Sequence, residues 1–420
     1  MNPLTPHIYP RWMEQWWIDE FLGLHVRQKI PSRGYAPIPD TSEPPPRTSL
    51  AEGKALTQLR TRVEALSELF TTGRMEGFEQ YARERKLLQA YGLFYFPQTF
   101  VRTQIVMGEL LQRWTPPEQK VSILDCGAGT GAAGLAAAMS LGVKGRKVFL
   151  HAVDSSIQSM KLVQELVSGT RADWNSPILR TSVADLSAPL SFAREAGRRH
   201  DVVTASFVLN EIFQGVSPEK ALAWCRELLT VVARGGVLII MEPALKESSE
   251  RLEWIRDQLV SEGKIKILAP CPHRRKCPLL AEGKFHCHEV REWAPPESLS
   301  MINRKLLRAA EKTLKFSFLV LSPAHDRLHE DAGQGENWRM ISPWTRGKGK
   351  WFATGCNDAG QKALYEIQSR DLPPDAEERF ARMERGDRLQ VSPSKLRVLG
   401  EGYRIESLDD LSVQRPLMGN

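Results

Sequence analysis

Long apolar segments are missing from this 420-residue chain. No run approaches the roughly 18 consecutive apolar residues that a helix needs to cross a bilayer, which excludes a helical membrane protein. The N-terminal segment carries Glu14, Asp19 and Glu20 where a secretory signal has a basic head and an apolar core. We therefore expect a soluble, cytoplasmic protein without a membrane partner.

A large excess of one sign of charge is also missing. The chain has 57 basic and 50 acidic side chains, a formal net charge of +7, and 42% hydrophobic residues. This composition excludes disorder of the whole chain, and the length predicts two or three domains. Residues 261–360 hold 17 Lys and Arg against 11 Asp and Glu, so +6 of the +7 lies in about a quarter of the chain. Such a local excess favours a polyanionic partner.

Cysteine is scarce, with six residues, but four of the six lie inside the same basic window. A disulfide framework is not expected in a chain without a secretion signal. Clustered cysteines in a reducing compartment more often bind metal. The cysteines therefore predict a metal site within residues 261–360.

The first part of the chain predicts a helical region over residues 1–115. It is interrupted by a linker at 31–47, where six of seventeen residues are proline. Helical periodicity continues through Tyr81–Ala90 and, after an expected break at Pro97, through Phe100–Trp114. Oligomeric state is not indicated by any pattern.

The middle of the chain alternates strand-like and helix-like segments, which predicts an α/β domain over residues 116–335 with a parallel, doubly wound sheet of about seven strands. The strand-like segments are residues 121–127, 148–154, 201–212, 235–243, 264–269 and 316–322. Short β-like runs after Trp338 predict a small β-rich region over 336–420 that contributes Cys356.

A glycine-rich turn follows the first of these strands. Asp125 ends the strand, and Gly127, Gly129 and Gly131 open a helix rich in small residues. Glycines at these positions permit a tight turn and the close approach of a cofactor to the backbone. The acid followed by G-x-G-x-G resembles motif I of class I S-adenosylmethionine-dependent methyltransferases, which implies that Asp125 and the three glycines bind the cofactor, although a glycine turn also occurs in unrelated α/β domains.

Two further acids lie at positions that the same resemblance assigns to the cofactor. Asp154 ends its strand, and Asp185 lies in the segment SVADL. The resemblance implies that Asp154 binds the ribose hydroxyls of S-adenosylmethionine and that Asp185 meets the adenine amine.

The segment after the fourth strand has an amide and a carboxylate, Asn210 and Glu211. Methyltransferases that act on the amines of bases usually carry Asn/Asp-Pro-Pro-aromatic at this place, and the prolines are missing here. The two residues are candidates for orienting a substrate. Equally, they could cap a helix and touch only the cofactor.

The four clustered cysteines are Cys271, Cys277, Cys287 and Cys356. Four thiolates suit tetrahedral zinc or an iron–sulfur cluster, and the spacing leaves both open. Free thiols that are neighbours by chance are a third reading.

Several segments taken together indicate a more specific family. LDCGAGTG, ILAPCPHRRKCPL, FHCHE, FSFLVLSP and WTRGKGKWFATGC, from about residue 87 to 356, resemble the methyltransferase-like proteins of the mitochondrial small ribosomal subunit and their bacterial relatives of the Rsm type. The resemblance implies a [4Fe-4S] cluster on the four cysteines, in a C-terminal appendage to a Rossmann-like core. It also implies S-adenosylmethionine as cofactor, small-subunit rRNA as partner, and a role in small-subunit assembly.

A group of basic residues near the cysteines could bind rRNA phosphates. Its members are Arg274, Arg275, Lys276, Arg346, Lys348 and Lys350. Trp344 and Trp351 lie between them in sequence and could stack on unpaired bases. The plainer interpretation is a solvated basic face with tryptophans in a core.

The sequence thus predicts an assembly protein that binds S-adenosylmethionine, a [4Fe-4S] cluster and rRNA. The alternatives are an active rRNA methyltransferase, a zinc-containing RNA-binding protein with the methyltransferase fold and, with less support, a small-molecule methyltransferase.

Overall fold

The structure is a computed structural model. It describes residues 7–24, 53–72, 82, 84–187, 199–306, 312–324, 337–372, 375–407 and 411–414. The proline-rich linker predicted at 31–47 lies outside the described residues.

The described residues form two β-sheets, the first of which has nine strands. Its strands are β1 (His7–Ile8), β2 (Lys120–Cys126), β3 (Lys147–Asp154), β4 (Ile178–Val183), β5 (His200–Ser206), β6 (Val232–Pro243), β7 (Ile265–Ala269), β8 (Glu289–Ala294) and β9 (Thr313–Pro323). The order is β1-β8-β9-β6-β5-β2-β3-β4, and β7 also pairs with β9. Strands β2 to β6 are parallel, and β9 runs antiparallel to β6, β7 and β8. The sheet is therefore mixed, and the predicted α/β class is confirmed.

Helices cover both faces of this sheet, as expected for alternating strands and helices. They are α1 (Arg11–Leu22), α2 (Lys54–Thr72), α3 (Arg85–Leu110), α4 (Ala132–Leu141), α5 (Ile157–Gly169), α6 (Val208–Ile212), α7 (Pro218–Thr230), α8 (Lys246–Ser261), α9 (Pro278–Glu282) and α10 (Glu297–Leu306). Residues of α1 to α5 and α10 share one hydrophobic core on one face. Residues of α6, α7 and α8 fill a second core on the other.

The second sheet belongs to the C-terminal part of the chain. It contains β10 (Asn337–Met340), β11 (Thr345–Gly347), β12 (Lys350–Asn357), β13 (Lys362–Gln368), β14 (Arg388–Gln390), β15 (Leu396–Leu399), β16 (Gly402–Ile405) and β17 (Ser412–Gln414). Together with α11 (Ala376–Ala381) it encloses its own hydrophobic core. The β-rich character predicted after Trp338 is confirmed by these strands.

Three strands of the first sheet, β1, β4 and β8, have no counterpart among the six strand-like segments named from the sequence, which predicted a sheet of about seven strands. The short β1 and the partly exposed β4 offer little apolar alternation. Strand β8 has Glu289 and Arg291 at inward positions, and both are buried. Charged residues in alternating buried positions hide a strand from hydrophobic periodicity.

Two predicted boundaries were also wrong. The strand expected over 201–212 ends at Ser206, and α6 follows it. The break expected at Pro97 does not occur, because α3 runs through this residue. Proline removes one backbone donor, but burial of nearly all of α3 outweighs this loss.

No helix among the described residues is long and apolar enough to cross a membrane.

Candidate functional site: a glycine turn and a four-cysteine cavity

The glycine turn between β2 and α4 requires glycine at three positions. Gly127, Gly129 and Gly131 have φ of 71°, 52° and 90°, a region that L-residues rarely adopt. A Cβ atom at Gly127 would lie 2.3 Å from a methyl carbon of Val208, whereas one at Gly129 would meet no atom within 4 Å. The backbone at Gly129 therefore faces open space at the carboxyl end of β2, where open α/β sheets bind ligands.

Asp125 holds the glycine turn in place through hydrogen bonds. Its carboxylate accepts hydrogen bonds from the Gly134 N–H at 2.8 Å and the Thr204 hydroxyl at 2.6 Å. Burial, opposed by these two hydrogen bonds, raises the pKa of Asp125 to about 6. Since both carboxylate oxygens bond to protein donors, Asp125 fixes the turn against β5 and α4.

Asp154 and Asp185 lie at the same edge of the sheet as the turn. The Asp154 carboxylate accepts from the N–H groups of Gly129 and Ser156, both at 2.8 Å, and burial raises its pKa. The Asp154 carbonyl accepts from Ala184 N–H at 3.0 Å, which holds the start of the Asp185 segment beside it. Asp185 is exposed, and its side chain bonds to Ser187. The structure thus brings the turn and both acids to one edge.

Asn210 is held by neighbouring protein groups. Its N–H donates to Glu242 Oε2 at 3.0 Å, and its side-chain oxygen accepts from the Ser248 hydroxyl at 2.9 Å. Burial raises the pKa of Glu242 to about 8. These bonds tie the start of α6 to the end of β6 and to α8.

Glu211 lies towards the turn. Burial, together with the negative charge of Asp154, raises the pKa of Glu211 to about 8. The pKa of Tyr91 on α3 is raised mainly by burial and then by Glu211. Helix α3 therefore contributes the Tyr91 side chain near Glu211 and the glycine turn. Sequence reasoning missed this, because no local pattern links α3 to α6.

Phe207, which precedes α6, has a backbone conformation that the sequence did not indicate. Its φ of 67° makes it the one non-glycine residue with positive φ among the described residues. The Arg102 guanidinium lies 5.5 Å from the centroid of its ring. Backbone strain of this kind costs on the order of 1–3 kcal/mol and is concentrated at functional sites.

The four predicted cysteines line one cavity of about 50 Å³. Cys271, Cys277 and Cys287 come from the segment between β7 and β8, and Cys356 comes from β12 of the second sheet. All four are free thiols. Because about 10–15 Å³ suffices for one water molecule, the cavity is larger than an ordinary packing defect.

One face of helix α8 holds the cysteine segment in place. Asp257 accepts from the Cys277 N–H with both carboxylate oxygens at 3.0 Å, and Glu253 accepts from the Cys287 N–H at 2.5 Å. Arg256 donates to the carbonyl oxygens of His273, at 2.7 Å, and Arg275. Arg256 and Asp257 follow Glu253 by three and four positions, which places both on the same side of the helix as Glu253.

Burial affects the pKa values of three of these thiols. Burial raises the pKa of Cys277 to about 12, with further contributions from Glu253 and Cys271. Burial and then the neighbouring cysteines raise the pKa values of Cys287 and Cys356 well above the ordinary range. Within the part of the chain that the structure describes, no group of three or more His, Cys, Asp or Glu side chains is placed to hold a metal ion. The predicted metal site therefore stays a proposal.

A buried network of charges joins the cysteine segment to the rest of the molecule. Arg339 of β10 binds both carboxylate oxygens of Glu109 on α3, at 2.7 and 2.9 Å, and Glu289 of β8 at 2.8 Å. Arg291 of β8 bonds to Glu289 and to Asp387. Arg339 and Glu289 also line the cysteine cavity. Three parts of the chain thus meet beside the thiols.

A protein-family model described as mitochondrial small ribosomal subunit Rsm22 matches residues 85–363, about two thirds of the chain. This chain belongs to the Rsm22 family. Two relatives, Rsm22-cox11 tandem proteins 1 and 2, mitochondrial, from Schizosaccharomyces pombe, are each 24% identical over 244 residues. The match covers 53% of this chain and 30% of each relative, so this Rsm22-family chain spans less than a third of their length. These relatives are named as mitochondrial, and the expected cytoplasmic location stays a prediction.

Several methyltransferases of known structure are similar to this chain at low overlap. A putative class I S-adenosylmethionine-dependent methyltransferase from Listeria monocytogenes is 14% identical, covers 66% of this chain and 89% of its own, and has a TM-score of 0.36. Magnesium protoporphyrin IX methyltransferase from Synechocystis PCC 6803 is 14% identical, covers 66% of this chain and 100% of its own, and has a TM-score of 0.32.

The predicted basic residues of the Rsm22-family chain fall into two groups rather than one. Arg275 donates to the Ala359 carbonyl at 3.0 Å, beyond one end of β12. Arg346 and Lys350 lie near the other end of β12. The length of an extended strand of this many residues puts them about 20 Å away from Arg275. Arg346 pairs with Glu377 at 3.1 Å and Lys350 pairs with Glu366.

The other three basic residues of the predicted group differ in their exposure to solvent. Arg274 is half-buried, whereas Lys276 and Lys348 are exposed. The expectation that Trp344 stacks on bases is wrong, because it is buried and stacks on Phe380 with ring centroids 4.4 Å apart. Trp351 also packs against Phe380.

Proposed function

We propose that this Rsm22-family chain binds S-adenosylmethionine and a [4Fe-4S] cluster and recognises small-subunit rRNA during assembly of the small ribosomal subunit. The observation that carries the proposal is the convergence of four cysteines, from two sheets, on one cavity. Cys356 is 69 residues beyond Cys287 along the chain, so their meeting depends on the tertiary fold.

The donor set fits a cluster. Four thiols with no carboxylate among the predicted ligands are soft donors, which select zinc or iron–sulfur over hard cations. The family resemblance of the cysteine segments favours the cluster, and zinc stays the alternative.

Cys271, Cys277, Cys287 and Cys356 would hold this cluster and give up their protons to do so. The bound cluster would cross-link the two sheets, so that its binding free energy adds to folding free energy. The chain's own contribution is the support of the loop by α8 and by the buried Arg339 network.

The glycine turn supports the nucleoside part of the proposal. Gly129 leaves room for a ligand, Asp154 lies beside it and accepts from its N–H, and Asp185 is exposed at the end of the next strand. We assign these residues, with Gly127 and Gly131, to S-adenosylmethionine, and Asp125 to the support of the turn.

Methyl transfer to rRNA is the second candidate. The strained backbone of Phe207 and the raised pKa of Glu211 favour it, since such features occur where chemistry takes place. Against it, the side-chain oxygen of Asn210 already accepts a hydrogen bond from Ser248. We therefore place cofactor binding and rRNA recognition first, with the exposed Lys276 and Lys348 as the first phosphate contacts to test.

The test of the cluster-dependent role compares two cysteine variants purified without oxygen. Cys277→Ser removes one proposed ligand, whereas Cys225→Ser alters a buried core thiol outside the cavity. We expect Cys277→Ser to lose iron, to unfold at lower temperature and to bind small-subunit rRNA at least tenfold more weakly. Cys225→Ser should keep its iron and its RNA affinity. Full retention of iron and RNA binding by Cys277→Ser would contradict the proposal.

A methyl-transfer assay distinguishes the two candidate functions, rRNA recognition in assembly and rRNA methylation. Wild-type protein is given radiolabelled S-adenosylmethionine and small-subunit rRNA from a strain that lacks the protein. Cofactor binding without transfer leaves the assembly role, and stoichiometric labelling of one nucleotide establishes the enzyme.

A further inference from the structure

His273 is a buried histidine that contacts one of the four cysteine sulfurs. Its Nε2 lies 3.3 Å from Cys356 Sγ, its side chain lines the cavity, and the residue is 7% exposed. It comes from the cysteine segment, whereas Cys356 comes from the second sheet. The contact therefore bridges the same two parts of the chain as the proposed cluster.

The opposite nitrogen of the ring faces Arg256. Arg256 Nη2 stands 3.4 Å from His273 Nδ1. A metal-bound cysteine is a thiolate and has no proton to give. The contact with Cys356 in the loaded site is thus an N–H···S hydrogen bond from His273.

Arg256 is itself fixed. Its guanidinium bonds to the carbonyl oxygens of His273 and Arg275 and lies 2.5 Å from Asp257 Oδ1. The Arg256 side chain is 2% exposed. The ring of His273 is held between this guanidinium and the Cys356 sulfur, so little rotational freedom is lost when the hydrogen bond forms.

We propose that His273 is a positioning residue that donates a hydrogen bond to the Cys356 thiolate and raises the reduction potential of the cluster. The inference rests on the proposed function, because it requires the four cysteines to hold iron and sulfide. Hydrogen bonds to cluster sulfurs stabilise the reduced state, which carries one more negative charge.

The test is a redox titration of the intact protein, purified without oxygen and followed by electron paramagnetic resonance. We expect His273→Leu to shift the reduction equilibrium about tenfold towards the oxidised state, which lowers a one-electron potential by about 59 mV. His273→Gln, which keeps an N–H donor, should recover part of this shift. His288→Leu is the matched control, since His288 also lines the cavity and its Nδ1 lies 3.2 Å from the His286 carbonyl.

An unchanged potential in His273→Leu, or an equal shift in His288→Leu, overturns the role of His273 while the cluster stands. A wild-type protein without iron overturns both this inference and the proposed function, and it is recognised before any variant is made. If His273→Leu does not fold, wild type and His273→Gln labelled with ¹⁵N-histidine are compared by pulsed resonance. A weak nitrogen coupling that disappears in His273→Gln supports the hydrogen bond, and the absence of coupling in wild type overturns it.

Discussion

Glu211 illustrates how a single side chain can report on the candidate cofactor pocket. Its carboxyl group is held near Asp154, and burial raises its pKa from the ordinary value of 4.5 to about 8. Between these two values the folded protein keeps a proton that the unfolded chain has lost. The free energy of unfolding therefore falls as the pH rises from about 4.5 to 8 and levels off above it.

Glu211→Gln should remove this dependence, because an amide resembles the protonated carboxyl group and does not ionise. We expect the variant to match wild type near pH 4.5 and to become progressively more stable than wild type up to pH 8. Denaturant unfolding at several pH values measures this. Parallel pH profiles for the two proteins would show that Glu211 is not buried beside Asp154.

At the scale of elements, helix α8 connects the two sites. Its N-terminal half bonds to α6 through Ser248 and Arg251, and its C-terminal half holds the cysteine segment through Glu253, Arg256 and Asp257. The cysteine segment has few regular hydrogen bonds of its own, since only the five-residue α9 lies within it. Its conformation therefore depends on side chains of α8.

Asp257→Ala should loosen this segment. Removing the carboxylate leaves the Cys277 N–H without its acceptor and costs about 1–3 kcal/mol of the free energy of unfolding. Glu247→Ala on the same helix is the control, because its exposed pair with Arg251 contributes about 0.5 kcal/mol or less. Chemical denaturation of both variants decides the matter, and equal losses would argue against a special role for Asp257.

The sequence patterns predicted those elements whose signals are local. The glycine turn and three of the four cysteines are contained in short segments, whereas Cys356 joins those cysteines only through the tertiary fold. Strand β8 was missed because Glu289 and Arg291 are buried only through partners 50 and 96 positions away, Arg339 and Asp387. The place of Tyr91 near Glu211 and the contact of Phe207 with Arg102 were not predicted, because both arise from packing between distant helices.

At the scale of the whole molecule, the buried network around Arg339 joins α3, the first sheet and the second sheet beside the cysteine cavity. The arginine is 2% exposed in its side chain and contacts two buried carboxylates. Burying charges is costly, and only their pairing makes it tolerable. We therefore regard this network as the protein's own link between its two sheets, adjacent to the link that the cluster would provide.

Arg339→Ala should be strongly destabilising, because it removes the arginine that binds both oxygens of the buried Glu109 and one of the two arginines that bind Glu289. We expect a loss of about 3–5 kcal/mol in the free energy of unfolding. Arg346→Ala, in the same sheet, breaks an exposed pair with Glu377 and should cost about 1 kcal/mol or less. Similar unfolding midpoints for the two variants would contradict the proposed link.

The most direct test of the central claim is the iron and sulfide content of the full chain purified without oxygen. The account predicts about four iron and four sulfide per chain, with broad absorbance near roughly 400 nm, and loss of both in Cys277→Ser. A colourless wild-type protein that contains one zinc per chain would contradict it.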